Sequence, residues 1–409
     1  MTRRRVLAII QAGGAGGRMD VLTRERAKPA LPFAGVYQLV DFPLSNLAHS
    51  GVDDVWLSLQ FQASTLEAEV GNGRPWDLDR TTGGLRLLMP EQGTGSMDED
   101  GFARGNADEL FRIRHRITTF APDVVLVLSA DHVYRLDYRD VLDTHVESGA
   151  ECTVVTSEVP LEEASDHLTV EHDAEGRVRA VDYKPDEPRT GTVATEAFAY
   201  DPAVLVPVLE ELHRELSADS PAGDSGLGDF GDHLLPALVA RGRTVVHPLD
   251  GYWRDLGQPH LYLRANLEVT TDDLGVLAEP GWAILTRQPQ RVPARLLAGA
   301  VVEDSLVSPG AQVSGLVRGS VLGPGVVVEA GAEVHHSVVF ADSVVAAGAR
   351  VHWSVVDTGC HIGTGAVLSD PHADGTRDPD QVTLVGRGST VGAGVRLERG
   401  SRLEPGTSA

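Results

Sequence analysis

Lysine is almost missing from this sequence. The 409 residues include 35 lysines and arginines, but the only lysines are Lys28 and Lys184, and the other 33 cations are arginines. A compact ammonium group can reach a phosphate oxygen where the planar guanidinium fork does not fit. We therefore expect that both lysines serve a chemical role.

Cysteine is equally scarce, and long apolar runs are missing. Cys152 and Cys360 are the only cysteines and lie far apart, which favours free thiols in a reducing compartment over a disulfide. Only five apolar residues follow the basic start of the chain, and no run approaches the length of a membrane span. These absences predict a cytoplasmic protein with no membrane partner.

The net charge and the length of the chain further limit the classes of protein to which it can belong. The net charge of −24 argues against a nucleic-acid binder, because the overall field repels a polyanion. An anionic small substrate would then have to be held by local cations. A chain of this length with 42% hydrophobic residues is expected to form two domains.

A glycine-rich turn follows the first apolar run of the chain. Residues 6–10 predict a buried strand, and Ala12, Gly13, Gly14, Gly16 and Arg18 come directly after it. Backbone without a Cβ can approach phosphate closely, and an arginine can bridge phosphate oxygens. The spacing fits neither a dinucleotide-binding turn, since residue 19 is methionine, nor a P-loop. On spacing alone, the stretch is either a polyphosphate cradle or an ordinary turn.

Residues 13–51 carry a longer signature. They read GGAGGRMDVLTRERAKPALPFAGVYQLVDFPLSNLAHSG. This stretch resembles the opening of the sugar-nucleotide pyrophosphorylases, and within them the ADP-glucose pyrophosphorylase branch. The resemblance implies nucleotidyl transfer from ATP to a sugar 1-phosphate, glucose 1-phosphate in that branch, with Mg²⁺ as cofactor.

The resemblance also assigns the nucleotide and metal residues. Asp131 follows an apolar strand in the pattern Ala-Asp-His-Val-Tyr, and Asp255 lies in Gly-Tyr-Trp-Arg-Asp-Leu-Gly; both are expected to bind the metal. Arg18, Lys28 and Asp131 are the expected catalytic residues. The expected nucleotide-binding residues are Ala12, Gly13, Gly14, Gly16, Gln60, Gln62 and Gly105.

The sugar-phosphate half departs from the family pattern. Lys184 matches the phosphate ligand and Asp229 is retained, but Leu168 stands where the family has glycine and Tyr183 where it has glutamate. Lys184, Tyr183, Leu168 and Asp229 are nonetheless the residues expected to line the sugar phosphate. The chain also departs from the family at three further places: Ala103 replaces an aromatic residue, residues 194–196 replace Ser-Met-Gly, and Asp232 replaces a lysine. At residue 36, where some relatives carry a basic activator-binding residue, the chain has valine.

Apolar runs alternate with helix-like segments up to about residue 265, which predicts a doubly wound, Rossmann-like α/β sheet with ligands at the carboxyl ends of its strands. Residues 71–104 are rich in Gly, Pro and Asp and predict a long loop. We expect a catalytic domain at 1–265, a connector at 266–291 and a second domain at 292–409.

The second domain is repetitive. Residues 320–336, 337–353 and 354–370 align without gaps as three 17-residue units with an apolar residue about every six. This period is typical of a left-handed parallel β-helix, and residues 371–381 interrupt it as a polar insertion. The resemblance implies a homo-oligomer, with a tetramer favoured.

Some β-helices are acyltransferases that use a histidine, which makes His335, His336, His352 and His361 candidates. His336 and His352 fall one register apart across two units, as corner residues would, and this spacing favours a structural role. Three functions therefore stay open besides the main one: a pyrophosphorylase for another sugar phosphate or nucleotide, a weakly active or regulatory homologue, and a β-helix acyltransferase.

Overall fold

The structure, a computed structural model, describes residues 4–14, 16–90, 102–217, 224–271, 275–369 and 381–409. Most of the predicted polar insertion, 371–381, lies outside this part of the chain. The chain divides into two compact units. Unit 1 comprises Met1–Gly14, Pro43–Ala63 and Val70–Trp253, and unit 2 comprises Ala15–Phe42, Ser64–Glu69 and Arg254–Ala409.

Strands and helices alternate up to Thr271, as predicted. The strands are β1 Val6–Ala12, β2 Pro32–Phe33, β3 Tyr37–Gln38, β4 Asp54–Leu59, β5 Gly84–Leu88, β6 Val124–Ser129, β7 His132–Tyr134, β8 Cys152–Glu158, β9 Leu168–His172, β10 Val178–Tyr183, β11 Thr192–Tyr200, β12 Thr244–Pro248 and β13 Trp253–Asp255. The helices are α1 Asp41–His49, α2 Ala63–Val70, α3 Asn106–Phe120, α4 Tyr138–Glu147, α5 Pro202–Leu216, α6 Leu235–Ala240 and α7 Pro259–Thr271. Short 3-10 turns span Gly17–Thr23, Lys28–Ala30, Arg74–Trp76 and Ala164–Asp166, and a π-helical turn spans Phe230–Leu234.

Unit 1 is built on a mixed sheet with the order β10-β9-β11-β6-β1-β4-β5, and β8 joins β11 to β12. The strands β6, β1, β4 and β5 are mutually parallel, whereas β11 runs antiparallel to β6 and to β8. The parallel part confirms the predicted α/β sheet and brings the carboxyl ends of β6, β1 and β4 to one edge. The expectation of an unbroken loop at 71–104 is wrong, because β5 pairs in parallel with β4 there.

The core of unit 1 explains why the strand sequences are so apolar. Leu7 and Ile9 of β1 pack with Val125 and Val127 of β6, all of them buried, against apolar residues of α3 and α5. A parallel sheet covered on both faces needs such continuous apolar runs. Cys152 belongs to this core and Cys360 is buried in unit 2, and both thiols are free, as the sequence predicted.

The repeats of unit 2 form three parallel sheets, as in a left-handed β-helix. The first sheet contains β14 Arg295–Leu296, β17 Gln312–Val313, β20 Val327–Val328, β23 Val344–Val345, β26 His361–Ile362 and β29 Thr390–Val391. The second contains β15 Val301–Glu303, β18 Leu316–Arg318, β21 Glu333–His335, β24 Arg350–His352, β27 Val367–Leu368 and β30 Arg396–Leu397. The third contains β16 Leu306–Val307, β19 Val321–Leu322, β22 Val338–Val339, β25 Ser354–Val356, β28 Thr383–Val385 and β31 Arg402–Leu403.

The 17-residue spacing is visible as a ladder of serines inside the repeat. The Ser337 amide donates to the Ser320 hydroxyl at 3.1 Å, and the Ser354 amide donates to the Ser337 hydroxyl at 3.2 Å. Stacked valines, such as Val317, Val334 and Val351, fill the interior and are fully buried. Each coil therefore repeats the same polar corner and the same apolar filling.

Two details differ from the sequence prediction. Helix α7 continues to Thr271, so the first residues of the segment predicted as a connector are helical. In the observed register, His335 of one coil pairs with His352 of the next. His336 follows that strand with a positive φ, and the equivalent residue of the next coil is Trp353. The expectation that His336 and His352 are corner residues of adjacent coils is thus wrong for His352, which lies in a strand.

The part of the N-terminal signature that belongs to unit 2, Ala15–Phe42, packs against the repeats. Arg26 Nη2 lies 3.0 Å from Asp357 Oδ1, and both side chains are nearly buried. The Arg26 guanidinium also lies over the Phe340 ring, with its Cζ 5.6 Å from the ring centroid. Asn266 of α7 accepts a hydrogen bond from the Ala34 amide at 2.9 Å. The residues around Lys28 therefore fold as part of unit 2.

No helix in the described part of the chain is long and apolar enough to span a bilayer.

Candidate nucleotide, metal and sugar-phosphate sites

The end of β1 shows why the first glycine of the turn is needed. A Cβ on Gly13 would collide with Gln60 Nε2 and would lie 3.1 Å from Glu109 Oε2. A Cβ on Gly14 would meet nothing within 4 Å, and Gly14 is exposed. Ala12 is the last, buried residue of the strand. The turn thus packs on one side and presents open backbone on the other.

Gln60 lies beneath this turn at the carboxyl end of β4. Its Oε1 accepts from the Ala103 amide at 2.8 Å, and its Nε2 donates to Glu109 Oε2 at 3.4 Å. The side-chain amide therefore has a defined orientation, and within the described part of the chain one of its N–H groups remains to donate. Gln62 follows with a left-handed φ of 50°.

Gly105 is explained by packing within unit 1. A Cβ there would collide with the Gly228 carbonyl, and the Ala107 amide donates to that same carbonyl at 3.2 Å. Asn106 Oδ1 accepts from the Phe230 amide at 2.6 Å. The predicted role of Gly105 in nucleotide binding stays a prediction, and the observed contacts alone account for the glycine.

Unit 2 brings together three of the predicted charged residues. Lys28 Nζ lies 3.8 Å from Asp255 Oδ1. A Cβ built on Gly257 would lie 3.3 Å from Asp255 Oδ1 and 3.5 Å from Arg18 Nη2. The fold thus brings the cations of Arg18 and Lys28 close to the Asp255 carboxylate. Gly257 lies beside them and has no side chain to fill the space.

Gly16 shapes the same segment. It has a φ of +65°, and a Cβ there would lie 3.1 Å from Thr23 Cγ2 and 3.4 Å from Lys28 Cβ. The Thr23 hydroxyl donates to the Gly16 carbonyl at 2.8 Å. Gly16 therefore serves the turn that carries Arg18 and Lys28, while Gly13 and Gly14 belong to unit 1.

Asp131 in unit 1 has two neighbours that can bind a metal. Its Oδ1 accepts from the Ser129 hydroxyl and lies 3.6 Å from His132 Nε2. His132 Nδ1 lies 2.9 Å from the Thr195 carbonyl, which can only accept, so Nδ1 carries a proton and donates it to that carbonyl. The ligand atoms of Asp131, His132 and Glu196 all lie within 4.8 Å of one another.

Glu196 is a candidate that sequence reasoning missed. The pairing of β11 with β8 shifts register between Ala194 and Phe198, and Glu196 within that interval has a φ of +54°. Bulges of this kind often re-aim a side chain beside an active site. The signal was available, because residue 196 stands where the family has a glycine that tolerates positive φ.

The altered sugar-side residues pack against each other. Tyr183 donates its hydroxyl to Asp229 Oδ2 at 2.9 Å, and a Cβ on Gly231 would collide with the Tyr183 ring and lie 2.8 Å from Leu168 Cδ1. Burial, then Asp229 and Glu196, raise the pKa of Tyr183. Leu168 belongs to the core of unit 1. Tyr183 and Leu168 thus have packing roles here.

Lys184 and Asp232 complete this region. Lys184 has a φ of 49°, and its ammonium lies 4.8 Å from the centroid of the Tyr183 ring. Asp232, found where relatives usually have lysine, accepts from the Asp229 amide at 2.7 Å and completes the capping box of the π-helical turn, whose N-cap is Asp229. Its carboxylate therefore has a local structural function.

Glu109 is a second residue that the sequence did not reveal. It is 5% exposed, and among the described residues its Oε1 has no hydrogen-bond partner. Burial raises the pKa of Glu109 to about 7, although hydrogen bonds from Ser58 and Gln60 act in the opposite direction. An acid with a raised pKa stabilises the fold below its unfolded value and loses that contribution as the pH rises through the folded value.

We therefore expect Glu109→Gln to stabilise the protein increasingly as the pH rises from about 5 to 8. The gain at pH 8 is about 3 kcal/mol in the free energy of unfolding, because an amide never ionises. Urea unfolding at several pH values measures it. Glu147→Gln, an exposed residue of α4, is the matched control. A constant difference between Glu109→Gln and wild type across this range would contradict the assignment.

Comparisons with known proteins identify the family of the chain. Residues 7–272 match the family model described as nucleotidyl transferase. Residues 293–391 match a model described as GlmU-like, C-terminal hexapeptide. The chain belongs to the nucleotidyl transferase family, whose members generally use a divalent metal.

Similar proteins narrow the class. The chain is 34% identical to a glucose-1-phosphate adenylyltransferase of Clostridium acetobutylicum over 80% of its own length and 84% of the relative's. It is 32% identical to one of Acetivibrio thermocellus, over 84% and 78% of the two lengths. It is 34% identical to one of Bacillus thuringiensis, over 82% and 87%.

Proposed function

We propose that this chain transfers the adenylyl group of ATP to glucose 1-phosphate, giving ADP-glucose and pyrophosphate for glycogen or another α-glucan. The observation that carries the proposal is the grouping of Arg18 and Lys28 with Asp255 in unit 2. Two cations beside a carboxylate suit a metal-bound polyphosphate. The names of the similar proteins supply the nucleotide and the sugar.

The reaction needs no covalent enzyme intermediate. A phosphate oxygen of the sugar phosphate attacks the α-phosphorus of ATP in line, and pyrophosphate leaves. Arg18 and the backbone of Gly13, Gly14 and Gly16 hold the triphosphate. Lys28 neutralises charge on the reacting phosphates, and Lys184 holds the phosphate of the sugar. Catalysis then rests mainly on positioning and on charge neutralisation.

We assign the metal to Asp131 and Asp255, with Mg²⁺ as the ion. Their side chains are 23% and 20% exposed, so the oxygens are accessible, and carboxylate oxygens are the ligands that a hard cation prefers. The metal supplies neutralisation of charge on both phosphates. Asp131 is oriented by Ser129, and Asp255 by Lys28.

Gln60 is assigned to the adenine base. Its remaining N–H and the second lone pair of Oε1 can pair with a base edge, while Ala103 and Glu109 fix the orientation of the amide. Gln62 is assigned to the same nucleotide. A homo-oligomer, with a tetramer favoured, and a cytoplasmic location complete the proposal.

The family has a glutamate where this chain has Tyr183, and we assign the role of that carboxylate to Glu196. It lies close to Asp131 and His132 and acts on Tyr183 electrostatically. We assign it as the acceptor of a sugar hydroxyl, because a carboxylate is a stronger acceptor than the Tyr183 hydroxyl, which donates its own proton to Asp229.

Accordingly, Glu196→Gln is expected to raise the KM for glucose 1-phosphate about 10-fold, since a hydrogen bond to a charged acceptor contributes roughly 1.5–3 kcal/mol. The value of kcat and the KM for ATP stay within a few-fold of wild type. Steady-state pyrophosphate release measures all three. Glu162→Gln, an exposed carboxylate in the same unit, is the control. A change confined to the Mg²⁺ dependence would make Glu196 a metal ligand instead.

Release of pyrophosphate over a matrix of nucleotides and sugar phosphates tests the whole proposal. Highest activity with ATP and glucose 1-phosphate supports the proposal. A clear preference for another nucleotide and sugar phosphate would instead identify that pair as the substrates. A regulatory role is the second candidate, favoured by the packing of Tyr183 and Leu168 against Gly231. Absence of activity with every pair, together with retained ATP binding, would establish that second role.

A further inference from the structure

The outer face of the β-helix carries two histidines and a glutamate in adjoining coils. In β21 and β24, Val334 and Val351 point inward and are fully buried. Alternation along a strand therefore turns Glu333, His335 and His352 outward. The register pairs His335 with His352 directly.

The distances within this cluster are short. The imidazole rings of His335 and His352 are parallel within 3°, with centroids 4.7 Å apart. His335 Nε2 lies 3.4 Å from Glu333 Oε2. One ligand atom from each of the three residues lies within 4.8 Å of the other two. Two nitrogens and one oxygen thus converge from two neighbouring strands, β21 and β24.

We propose that Glu333, His335 and His352 form a binding site for a divalent transition metal of the zinc type, which cross-links two coils of the β-helix. Imidazole and carboxylate are ordinary zinc ligands at about 2.0–2.2 Å, and donors around one tetrahedral ion lie about 3.3 Å apart. The three side chains have to close by no more than about 1.5 Å, which small rotations of side-chain torsions provide. Water completes the tetrahedron.

The neighbouring charges define the site further. Arg318 lies in register with His335 on the preceding coil, but its Nε is paired with Glu303 Oε2 at 2.6 Å. Arg350 lies in register with Glu333 and opposes a cation on this face. The preference for imidazole nitrogen excludes Mg²⁺, which selects oxygen ligands. This site is therefore chemically different from the one assigned to Asp131 and Asp255.

Zinc binding to the full-length, chelator-treated protein tests the proposal. Isothermal titration with Zn²⁺ is expected to show one equivalent that is absent from the double variant His335→Asn/His352→Asn. Each single variant weakens that binding about 100-fold, and His361→Asn, an exposed histidine of β26, leaves it unchanged. Arg350→Gln tightens it several-fold, because a repelling charge is removed. Equal Zn²⁺ binding by wild type and the double variant would overturn the proposal.

A second measurement covers the case in which a variant fails to fold. In the wild-type protein, diethyl pyrocarbonate modifies accessible histidines, and mass spectrometry locates the modified peptides. Zn²⁺ is expected to protect His335, with the exposed His361 modified to the same extent in both conditions. Equal modification of His335 with and without Zn²⁺ would likewise overturn the assignment. Neither readout depends on the proposed transferase activity.

Discussion

Asp131→Asn is expected to reduce kcat about a thousandfold at saturating ATP and glucose 1-phosphate. The asparagine keeps the shape and can still accept from Ser129, but it removes one of the two negative charges assigned to the metal. Loss of metal-centred charge neutralisation costs roughly 4 kcal/mol of transition-state stabilisation. Pyrophosphate release as a function of Mg²⁺ concentration measures the effect, and the concentration for half-maximal rate rises in the variant.

The control for this experiment is Asp143→Asn, an exposed aspartate of α4 in the same unit. It is expected to leave kcat and the Mg²⁺ dependence unchanged. If Asp131→Asn retained wild-type turnover at every Mg²⁺ concentration, Asp131 would not be a metal ligand, and the acidic pair assigned here would be wrong.

Arg18→Ala is expected to lower kcat about 10²–10³-fold, the usual effect of removing one hydrogen-bond donor that acts on the transition state. Arg18 is exposed and its guanidinium lies close to Asp255 by way of Gly257, so the substitution removes charge without opening the core. The KM for glucose 1-phosphate stays within a few-fold, since Lys184 is the residue assigned to that phosphate.

Arg24→Ala provides the matched control for Arg18→Ala. Arg24 lies in the same signature segment and is exposed, but its guanidinium is directed to Asp20 and Glu404. Its loss should leave kcat near the wild-type value. Equal losses in kcat and in sugar-phosphate affinity for Arg18→Ala would place Arg18 at the sugar phosphate and not at the triphosphate.

The sequence was a good guide where the local pattern determines the structure. The apolar runs at β1, β4 and β6 are the parallel strands that the periodicity predicts, and the 17-residue repeat appears as coils with a serine ladder. Gly13 has a packing reason that no single sequence displays, because Gln60 and Glu109 occupy the space of its missing side chain.

The features that the sequence analysis missed share a cause, because each of them depends on tertiary contacts. Strand β5 lies in a segment rich in turn residues and exists because β4 offers it a parallel edge. Glu196 reaches Asp131 only through the irregular register of β11, and Glu109 has its raised pKa only because the fold buries it. The sequence spacing set His352 against His336, but the actual register of the coils differs by one residue, so His352 stacks on His335.

The pairing of Arg26 with Asp357 sets limits on how the gene can be recombined. A fragment cut at the end of the nucleotidyl transferase match, residue 272, would keep the guanidinium and discard the carboxylate. In a chimera whose repeats bury the Arg26 guanidinium but lack the carboxylate, the unpaired buried charge costs about 3–5 kcal/mol. A chimera with a C-terminal half taken from a related enzyme would therefore need an acid at the equivalent of Asp357, so the two halves must be inherited as a matched pair.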